Sequence, residues 1–234
     1  VTVAKTALWI AESQMMKETE DVVHMSLDFL PLKSYANITE GNALQVDWAS
    51  VVPKHELNYI MGNPPFVGYS LQSKAQKNDI LSVYVDEKGK PYKTAGKIDY
   101  VSGWYFKAAQ LMQGTAVRTA FVSTNSITQG EQVAGVWKPL YESFGIHIDF
   151  AHRTFRWDSE ASIKAHVHCV IVGFSNAPNP APKRIYTTER YQEVENINPY
   201  LLDAPNVFID SRTNSICNVP QMVYGNKPPD GGFL

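Results

Sequence analysis

Apolar residues recur at helical spacing in three segments of the chain. Residues 2–17 contain no glycine or proline, and the pattern there predicts a helix. In residues 99–112 a second stripe ends before Gly114, a residue typical of helix termini. Residues 130–144 form the third segment, with Pro139 expected to be tolerated or to kink it. The apolar positions of the first two stripes are Val3, Ala7, Ile10, Ala11, Met15, and then Val101, Trp104, Tyr105, Ala108 and Leu111.

Shorter apolar runs predict strands between these helices. They cover residues 57–61, 119–124, 146–151 and 165–174, with a weaker candidate at 36–39. The order of strands and helices is typical of an α/β fold. No helix separates the last two strands, so we expect them to pair antiparallel.

Two stretches lack such patterns. Residues 69–97 are polar and predict the start of a helix followed by a long loop. After Ser175 the composition changes: residues 176–182 are rich in proline, which is typical of a linker, and the chain beyond them is expected to be irregular.

Composition and charge limit the classes of protein to which this chain can belong. Of the 234 residues, 44% are hydrophobic and 19% are charged, which is ordinary for a globular domain. A formal net charge of −2 excludes a globally basic nucleic-acid binder, so any nucleic-acid contact must be local. No apolar run approaches the roughly 18 residues of a membrane span. Cys169 and Cys217 lie far apart, which argues against a disulfide framework or zinc site and makes the cytoplasm the expected compartment.

Other catalytic or metal-binding patterns are weak. His166 and His168 would share one face of a strand, but no carboxylate ligand lies beside them and Cys169 would point to the opposite face, so strand surface is favoured and no metal is expected. The serines at 123 and 126 do not form a G-x-S-x-G motif, and no phosphate-binding P-loop is present.

The sharpest signal is Asn63-Pro64-Pro65-Phe66, directly after a predicted strand. Open α/β sheets bind ligands at the carboxyl ends of their strands. An amide oxygen and a rigidly held backbone carbonyl could accept both N–H groups of a planar amine, and an aromatic ring could stack on its base. A plain Pro-Pro turn after a strand is the alternative. The sequence resembles motif IV of the class I S-adenosylmethionine-dependent amino-methyltransferases.

The resemblance extends along nearly the whole chain. Residues 63–68, 99–109, 119–132 and 150–157 resemble the methyltransferase region of the MmeI-like (type IIG/IIL) restriction–modification enzymes. Residues 205–209 and 219–226 resemble the start of that family's target-recognition domain. The resemblance implies methylation of adenine N6 in double-stranded DNA with S-adenosyl-L-methionine as cofactor. Two alternatives remain: an amino-methyltransferase acting on protein glutamine or ribosomal RNA guanine, and a non-catalytic DNA-binding fragment.

The resemblance also implies roles for individual residues. Asn63, Pro64 and Phe66 would hold the target adenine, with Pro65 shaping the turn, and Asn63 would also border the cofactor. Residues 41–44 resemble motif III, in which Asn42 would accept the cofactor's adenine amine and the Ala43 N–H would reach the ring. Many relatives carry Asp in place of Asn42, and a simple Gly-Asn turn is the alternative reading.

Further roles fall between the last two predicted strands. Phe155 or Trp157 would stack on an adenine flipped out of the duplex, which is required because the N6 amine cannot be reached in line within it. Either ring could instead belong to the core. Arg153 and Arg156 could bind DNA phosphates, although exposed arginines are often simply solvated.

The family's sheet order, 3-2-1-4-5-7-6, implies a partial class I (Rossmann-like) sheet. The chain contains no glycine before Gly41, so the cofactor loop and the first two strands are expected to be missing. The strands near 57, 119, 165 and 146 would form a continuous half-sheet. Residues 1–175 would then be the C-terminal part of a methyltransferase domain, 176–204 a linker and 205–234 the start of a recognition domain. Such a piece alone is expected to be inactive, to bind the cofactor weakly, and to self-associate through its exposed strand edge.

Overall fold

A computed structural model describes residues 1–26, 38–157, 167–212, 214, 217 and 219–220. Six α-helices occur in these ranges: α1 Thr2–Val23, α2 Trp48–Val51, α3 Lys74–Val83, α4 Ser102–Met112, α5 Gly130–Gln132 and α6 Lys138–Phe144. A π-helical turn, Val133–Trp137, joins α5 to α6. Short 3₁₀ turns lie at Lys54–Glu56, Tyr69–Leu71, Ala95–Lys97 and Asn125–Thr128. Within the described ranges no helix is both long enough and apolar enough to cross a bilayer.

The strands form one mixed sheet. They are β1 Tyr59–Gly62, β2 Arg118–Thr124, β3 His147–Trp157, β4 Val167–Ser175, β5 Lys183–Tyr186 and β6 Tyr191–Val194, in the order β1-β2-β4-β3-β5-β6. Strands β1 and β2 pair in parallel, β4 runs antiparallel to both β2 and β3, and β5 is parallel to β3. Strands β1, β2, β3 and β5 therefore all point to one carboxyl edge. This order confirms the predicted α/β half-sheet and the antiparallel pairing of β3 with β4.

The core lies between one face of this sheet and α4 with the α5–α6 segment. The ring of Tyr105 in α4 stacks on Phe174 of β4, with centroids 5.1 Å apart. The same ring meets Phe121 and Trp137 edge-on at 5.3 and 5.4 Å. Burial of four aromatic side chains is a large apolar contribution to stability and fixes α4 against the strands that carry the site.

Several predicted boundaries change in the structure. The strand predicted at 146–151 continues to Trp157 as β3, so Arg153, Phe155, Arg156 and the backbone of Trp157 lie on this strand and not in the predicted loop. Helix α1 continues beyond residue 17 to Val23, and its apolar stripe is not buried. Of the weak strand candidate at 36–39, residues 36 and 37 lie outside the described residues, while Ile38 and Thr39 are not in a strand. Residues 165 and 166 of the predicted fourth strand also lie outside them, and β4 begins at Val167.

Two regions without a clear pattern contain regular elements, and the first agrees with the helix start predicted in residues 69–97. Helix α3 occupies the polar segment, and a capping box between Ser73 and Gln76 fixes its start. Beyond the proline-rich stretch, β5 and β6 extend the sheet. These strands are only four residues long and carry charged side chains, so they lack the apolar alternation used to find strands. The division of the chain into domains stays a prediction.

Candidate active site at the carboxyl edge of the sheet

The Asn63–Phe66 motif lies where β1 ends. Gly62 is the last residue of β1 and pairs with Phe121 of β2, so Asn63 is the first residue beyond the parallel pair. Pro64 is buried, Phe66 is half-buried, and Asn63 is exposed. Among the residues that the structure describes, neither the Asn63 side chain nor the Pro64 carbonyl has a hydrogen-bond partner. Both acceptors are therefore available to a ligand.

The segment after the motif is fixed by Asp99. One carboxylate oxygen accepts the backbone N–H of Tyr69 at 3.0 Å, and the other accepts the hydroxyl of Ser126 at 2.5 Å. The Asp99 side chain is almost completely buried, so these hydrogen bonds are protected from water. Asp99 thereby joins the loop after β1 to the loop after β2.

Residues 97–100 make further backbone contacts around that loop. The N–H of Tyr100 donates to the Val67 carbonyl at 2.9 Å, and the Gln72 amide donates to the Ile98 carbonyl at 2.9 Å. From the other side, the Gln132 side chain accepts the N–H of Asp99 at 3.0 Å. The motif is consequently held by a hydrogen-bonded frame that begins just before α4.

A second candidate element is the turn around Asn42. Its side-chain oxygen accepts the N–H of Leu44 at 3.0 Å, and its amide nitrogen donates to Asp79 at 2.8 Å. A carbonyl oxygen has two lone pairs, so one acceptor site on Asn42 remains. The N–H of Ala43 has no acceptor among the described residues. The turn thus presents an oriented acceptor beside an unused donor.

Asp79 organises this turn from α3. Its carboxylate also accepts hydrogen bonds from Gln45 and from the hydroxyl of Tyr100, each at 2.8 Å. Partial burial acts to raise the pKa of Asp79, but the hydrogen bonds from Tyr100, Asn42 and Gln45 outweigh it and keep the pKa below its ordinary value. Burial and the adjacent Asp79 carboxylate raise the pKa of Tyr100 to about 12, so its hydroxyl is a donor at neutral pH.

Helix α4 supports the same turn through Lys107. Its ammonium donates to the Leu44 carbonyl at 2.8 Å and also to the carbonyl of Val46. Burial lowers the pKa of Lys107, opposed by the nearby Asp47. The indole N–H of Trp48 donates to the Ala43 carbonyl at 2.8 Å. The carbonyls of the turn are therefore satisfied within the fold.

Tyr100 connects the two candidate elements. Its backbone N–H holds the loop after Asn63, and its hydroxyl holds Asp79 and through it Asn42. The structure therefore links the loop that follows Asn63–Phe66 and the Asn42 turn through one hydrogen-bond network. Its connecting residues, Asp79, Asp99, Tyr100 and Lys107, had been assigned no role from the sequence. The capping box before α3 was the signal that could have placed Asp79 on a helix.

The other predicted residues lie on β3, three strands across the sheet from β1. Phe155 pairs with Cys169 at the same level as Thr124, near the carboxyl edge, and its ring meets that of His152 at 5.0 Å. A bulge between His152 and Phe155 changes the register there. The backbone of Trp157 ends β3, and its side chain lies outside the described residues. Arg153 and Arg156 are exposed.

The residues considered for a metal give no such site in the described part of the chain. His168 is exposed on β4, and His166 lies outside the described residues. No group of three or more His, Cys, Asp or Glu residues capable of holding a metal ion occurs in the described ranges.

Comparison with known proteins places this geometry in context. The family described as "MmeI, DNA-methyltransferase domain" matches residues 1–187. A relative named "DNA methyltransferase A" from Bacillus subtilis (strain 168) is 42% identical over 99% of this chain and 26% of its own length. A solved structure, reported as type IIL restriction-modification enzyme MmeI in complex with DNA, has 45% identity and a TM-score of 0.86 over 98% of this chain and 31% of its own. The chain spans about a third or less of the length of either relative.

Proposed function

The chain belongs to the MmeI DNA-methyltransferase domain family, and from that premise we propose that it transfers a methyl group from S-adenosyl-L-methionine to the N6 amine of adenine in DNA, as part of a restriction–modification enzyme. The observation that carries the proposal is the Asn63–Phe66 loop at the carboxyl end of β1, with two unused acceptors in a fixed frame. The roles of the individual residues in this reaction are proposed in the paragraphs that follow.

The Asn42 turn fits an adenosyl group. The edge of an adenine ring offers an amine donor beside a ring-nitrogen acceptor, and the turn offers the complementary pair: the Asn42 oxygen and the Ala43 N–H. The Asp79 hydrogen bond fixes which end of the Asn42 amide is the nitrogen, and so which is the acceptor. The bound cofactor supplies an electrophilic methyl group on its sulfonium.

The residues of the loop prepare the target amine. A ring-conjugated amine is a poor nucleophile because its lone pair is delocalised. When the Asn63 oxygen and the Pro64 carbonyl accept its two N–H groups, the nitrogen shifts toward tetrahedral geometry and its lone pair is localised for attack. The amine becomes positively charged on methylation and then loses a proton readily, so no strong general base is required.

Aromatic and basic residues complete the proposal. Phe66 stacks on the extruded adenine, and Phe155 or Trp157 supports it from the end of β3, with Phe155 the favoured ring. Arg153 and Arg156 contact DNA phosphates. These assignments rest on position: Phe155 lies at the carboxyl edge toward which β1 and β2 also point.

The test uses the complete natural polypeptide that contains these 234 residues. It is incubated with DNA and a methyl-labelled S-adenosylmethionine, and the DNA is digested to nucleosides. We expect label in N6-methyl-2′-deoxyadenosine, and none with Asn63→Ala, while duplex binding is retained. Asn58→Ala, at the other end of β1, is the matched control and is expected to leave transfer intact.

Several outcomes would contradict the proposal. Label on protein glutamine or on ribosomal RNA guanine would favour the alternative amino-methyltransferase. DNA binding without label in any acceptor would favour a non-catalytic DNA-binding role. Unchanged transfer by Asn63→Ala would remove the motif from the chemistry.

A further inference from the structure

A concave site outside the methyl-transfer loop lies between β3, the β5–β6 turn and residues 201–204. Its volume is about 760 Å³, which is within the size range of ligand pockets. Arg153, Thr187, Arg190 and Gln192 supply polar groups to its lining, while Leu201 and Ile185 supply apolar surface. The methyl-transfer step proposed above does not use this cavity, although one of its lining residues, Arg153, is there assigned to a DNA phosphate.

Strand pairing explains why Arg153 and Arg190 both line this cavity. His152 of β3 pairs in parallel with Tyr186 of β5, so the next residues, Arg153 and Thr187, stand at the same level. The turn after β5 is closed by Thr187, whose N–H and hydroxyl donate to the Arg190 carbonyl at 2.8 and 3.0 Å. Arg153 and Arg190 thereby line one cavity.

These two arginines differ from other cations of the fold in their partners. Arg184 binds Glu193 at 2.9 Å, and Lys138 binds Asp210 at 2.8 Å. Within the described residues, no carboxylate oxygen lies within 4.0 Å of a nitrogen of Arg153 or Arg190, although Asp203 borders the cavity. Two uncompensated guanidinium groups in a concave site favour an anionic ligand, because planar guanidinium groups match phosphate geometry.

The opposite wall is held in a fixed shape. Leu201 is buried and adopts a left-handed backbone conformation with φ 57°, which non-glycine residues rarely adopt. Its neighbours are fixed by Asn198, whose side-chain oxygen accepts the N–H groups of Tyr200 and Leu202 at 3.0 and 3.1 Å. Such a conformation persists only where its surroundings impose it, and it is typical of binding sites.

We propose that this cavity, here named the Arg153–Arg190 cavity, binds phosphodiester groups of the DNA backbone beside the target base. The proposal rests on the proposed function. Because β1, β3 and β5 point the same way, the cavity and the Asn63 loop lie at one edge of the sheet. Four strand spacings separate β1 from β5, about 19 Å, which is about the rise of five or six base pairs. One duplex can therefore reach both sites.

The salt dependence of DNA binding tests this proposal. The complete natural polypeptide and its Arg153→Gln/Arg190→Gln variant are titrated with a fluorescent duplex at a series of salt concentrations. Each phosphate contact contributes about −0.9 to the slope of log K against log salt, so we expect the slope of the double variant to be less negative by about 1.8. The loss should be equal for different duplex sequences, because phosphates carry no sequence information.

The matched control removes the same charge from the opposite edge. Lys54 and Arg118 precede β1 and begin β2, at the amino ends of the strands, and both are exposed. Lys54→Gln/Arg118→Gln should leave the slope unchanged. An equal change of slope in both variants would mean a general charge effect and would overturn the cavity as a site.

The remaining outcomes separate this proposal from the proposed function. If the unsubstituted protein methylates DNA and the Arg153→Gln/Arg190→Gln variant shows an unchanged slope, the cavity proposal fails together with the phosphate contact of Arg153, while the proposed methyl transfer stands. If the unsubstituted protein does not bind DNA, both fail. If inorganic phosphate or a mononucleotide binds the unsubstituted protein but not the double variant, and does not compete with the duplex at fixed ionic strength, the cavity is a small-anion site and the proposal of a backbone site is overturned.

Discussion

The carboxylate of Asp99 accepts the backbone N–H of Tyr69 at 3.0 Å, across 30 residues of sequence. Its second oxygen accepts the Ser126 hydroxyl. This one buried side chain therefore sets the distance between the loop after β1, which carries the motif proposed for methyl transfer, and the loop after β2. A change at Asp99 should act on the position of the motif without removing any group that contacts the substrates.

Asp99→Ala is expected to reduce both stability and turnover. Leaving the Tyr69 N–H unpaired should cost about 1–3 kcal/mol of unfolding free energy. Misplacement of the motif by as little as 1 Å can lower the rate by about 100-fold. Initial rates of methyl transfer and thermal unfolding of the complete polypeptide measure both effects.

The controls for Asp99 separate position from simple loss of stability. Asp99→Asn keeps an acceptor for Tyr69 and can donate to Ser126, so it should restore most of the rate. Asp86→Ala removes an exposed carboxylate that accepts the N–H groups of Lys88 and Lys90, both at 2.9 Å, away from the motif. A rate loss with Asp86→Ala equal to that of Asp99→Ala would contradict the positioning role.

Asp79→Asn is expected to weaken cofactor binding. An asparagine at 79 cannot accept all the hydrogen bonds that now come from Asn42, Gln45 and Tyr100, so the Asn42 amide is no longer fixed in one orientation. With one hydrogen bond worth about 0.5–1.5 kcal/mol, the KM for S-adenosylmethionine should rise by about 3- to 10-fold while kcat changes little. Equilibrium titration of the cofactor gives an independent readout, and a fall in kcat at constant KM would contradict this role.

The sequence was informative where a local pattern carries the information. The helix around Tyr105 and the strand before Asn63 follow from apolar periodicity and from prolines that end a ladder, and the sheet order followed from the family resemblance. The Asp99–Tyr69 and Asp79–Asn42 contacts could not be predicted, because they join residues on different elements and depend on how α3 and α4 pack. A carboxylate in a polar segment looks like solvated surface until its partners are known.

Gly103→Ala tests the packing beneath the Asn42 turn. A methyl group at this position would lie 3.0 Å from the terminal methyl groups of Leu44 and Ile80, so these buried side chains would have to shift by a few tenths of an ångström. Overpacking of this kind should cost about 1–3 kcal/mol of stability and weaken cofactor binding, since Leu44 belongs to the turn. Gly96→Ala is the matched control, because no atom lies within 4 Å of the added methyl. Equal melting temperatures and cofactor affinities for both variants would refute the expectation.

Acid should destabilise the domain through Asp149 on β3. Burial acts to raise the pKa of this side chain, but the hydrogen bonds from His147, Ser175 and Asn179 outweigh it, so the pKa in the folded state is below its ordinary value of 3.8. The unfolded chain then binds the proton more tightly than the folded one. The stabilisation by ionised Asp149 is fully present above about pH 4 and is lost as the pH falls through the lowered folded-state value.

Two variants make the Asp149 prediction specific. Asp149→Asn removes the titrating group, so its free energy of unfolding should fall less steeply below pH 4 than that of the unsubstituted protein. Ser175→Ala removes one donor, at 2.6 Å from the carboxylate, and should give an intermediate slope because the other hydrogen bonds remain. The measurement is the urea midpoint of the unfolding transition of this domain at a series of pH values. Parallel curves for the three proteins would show that the acid sensitivity arises at other carboxylates, since only a group that titrates differently in the two states can change the slope.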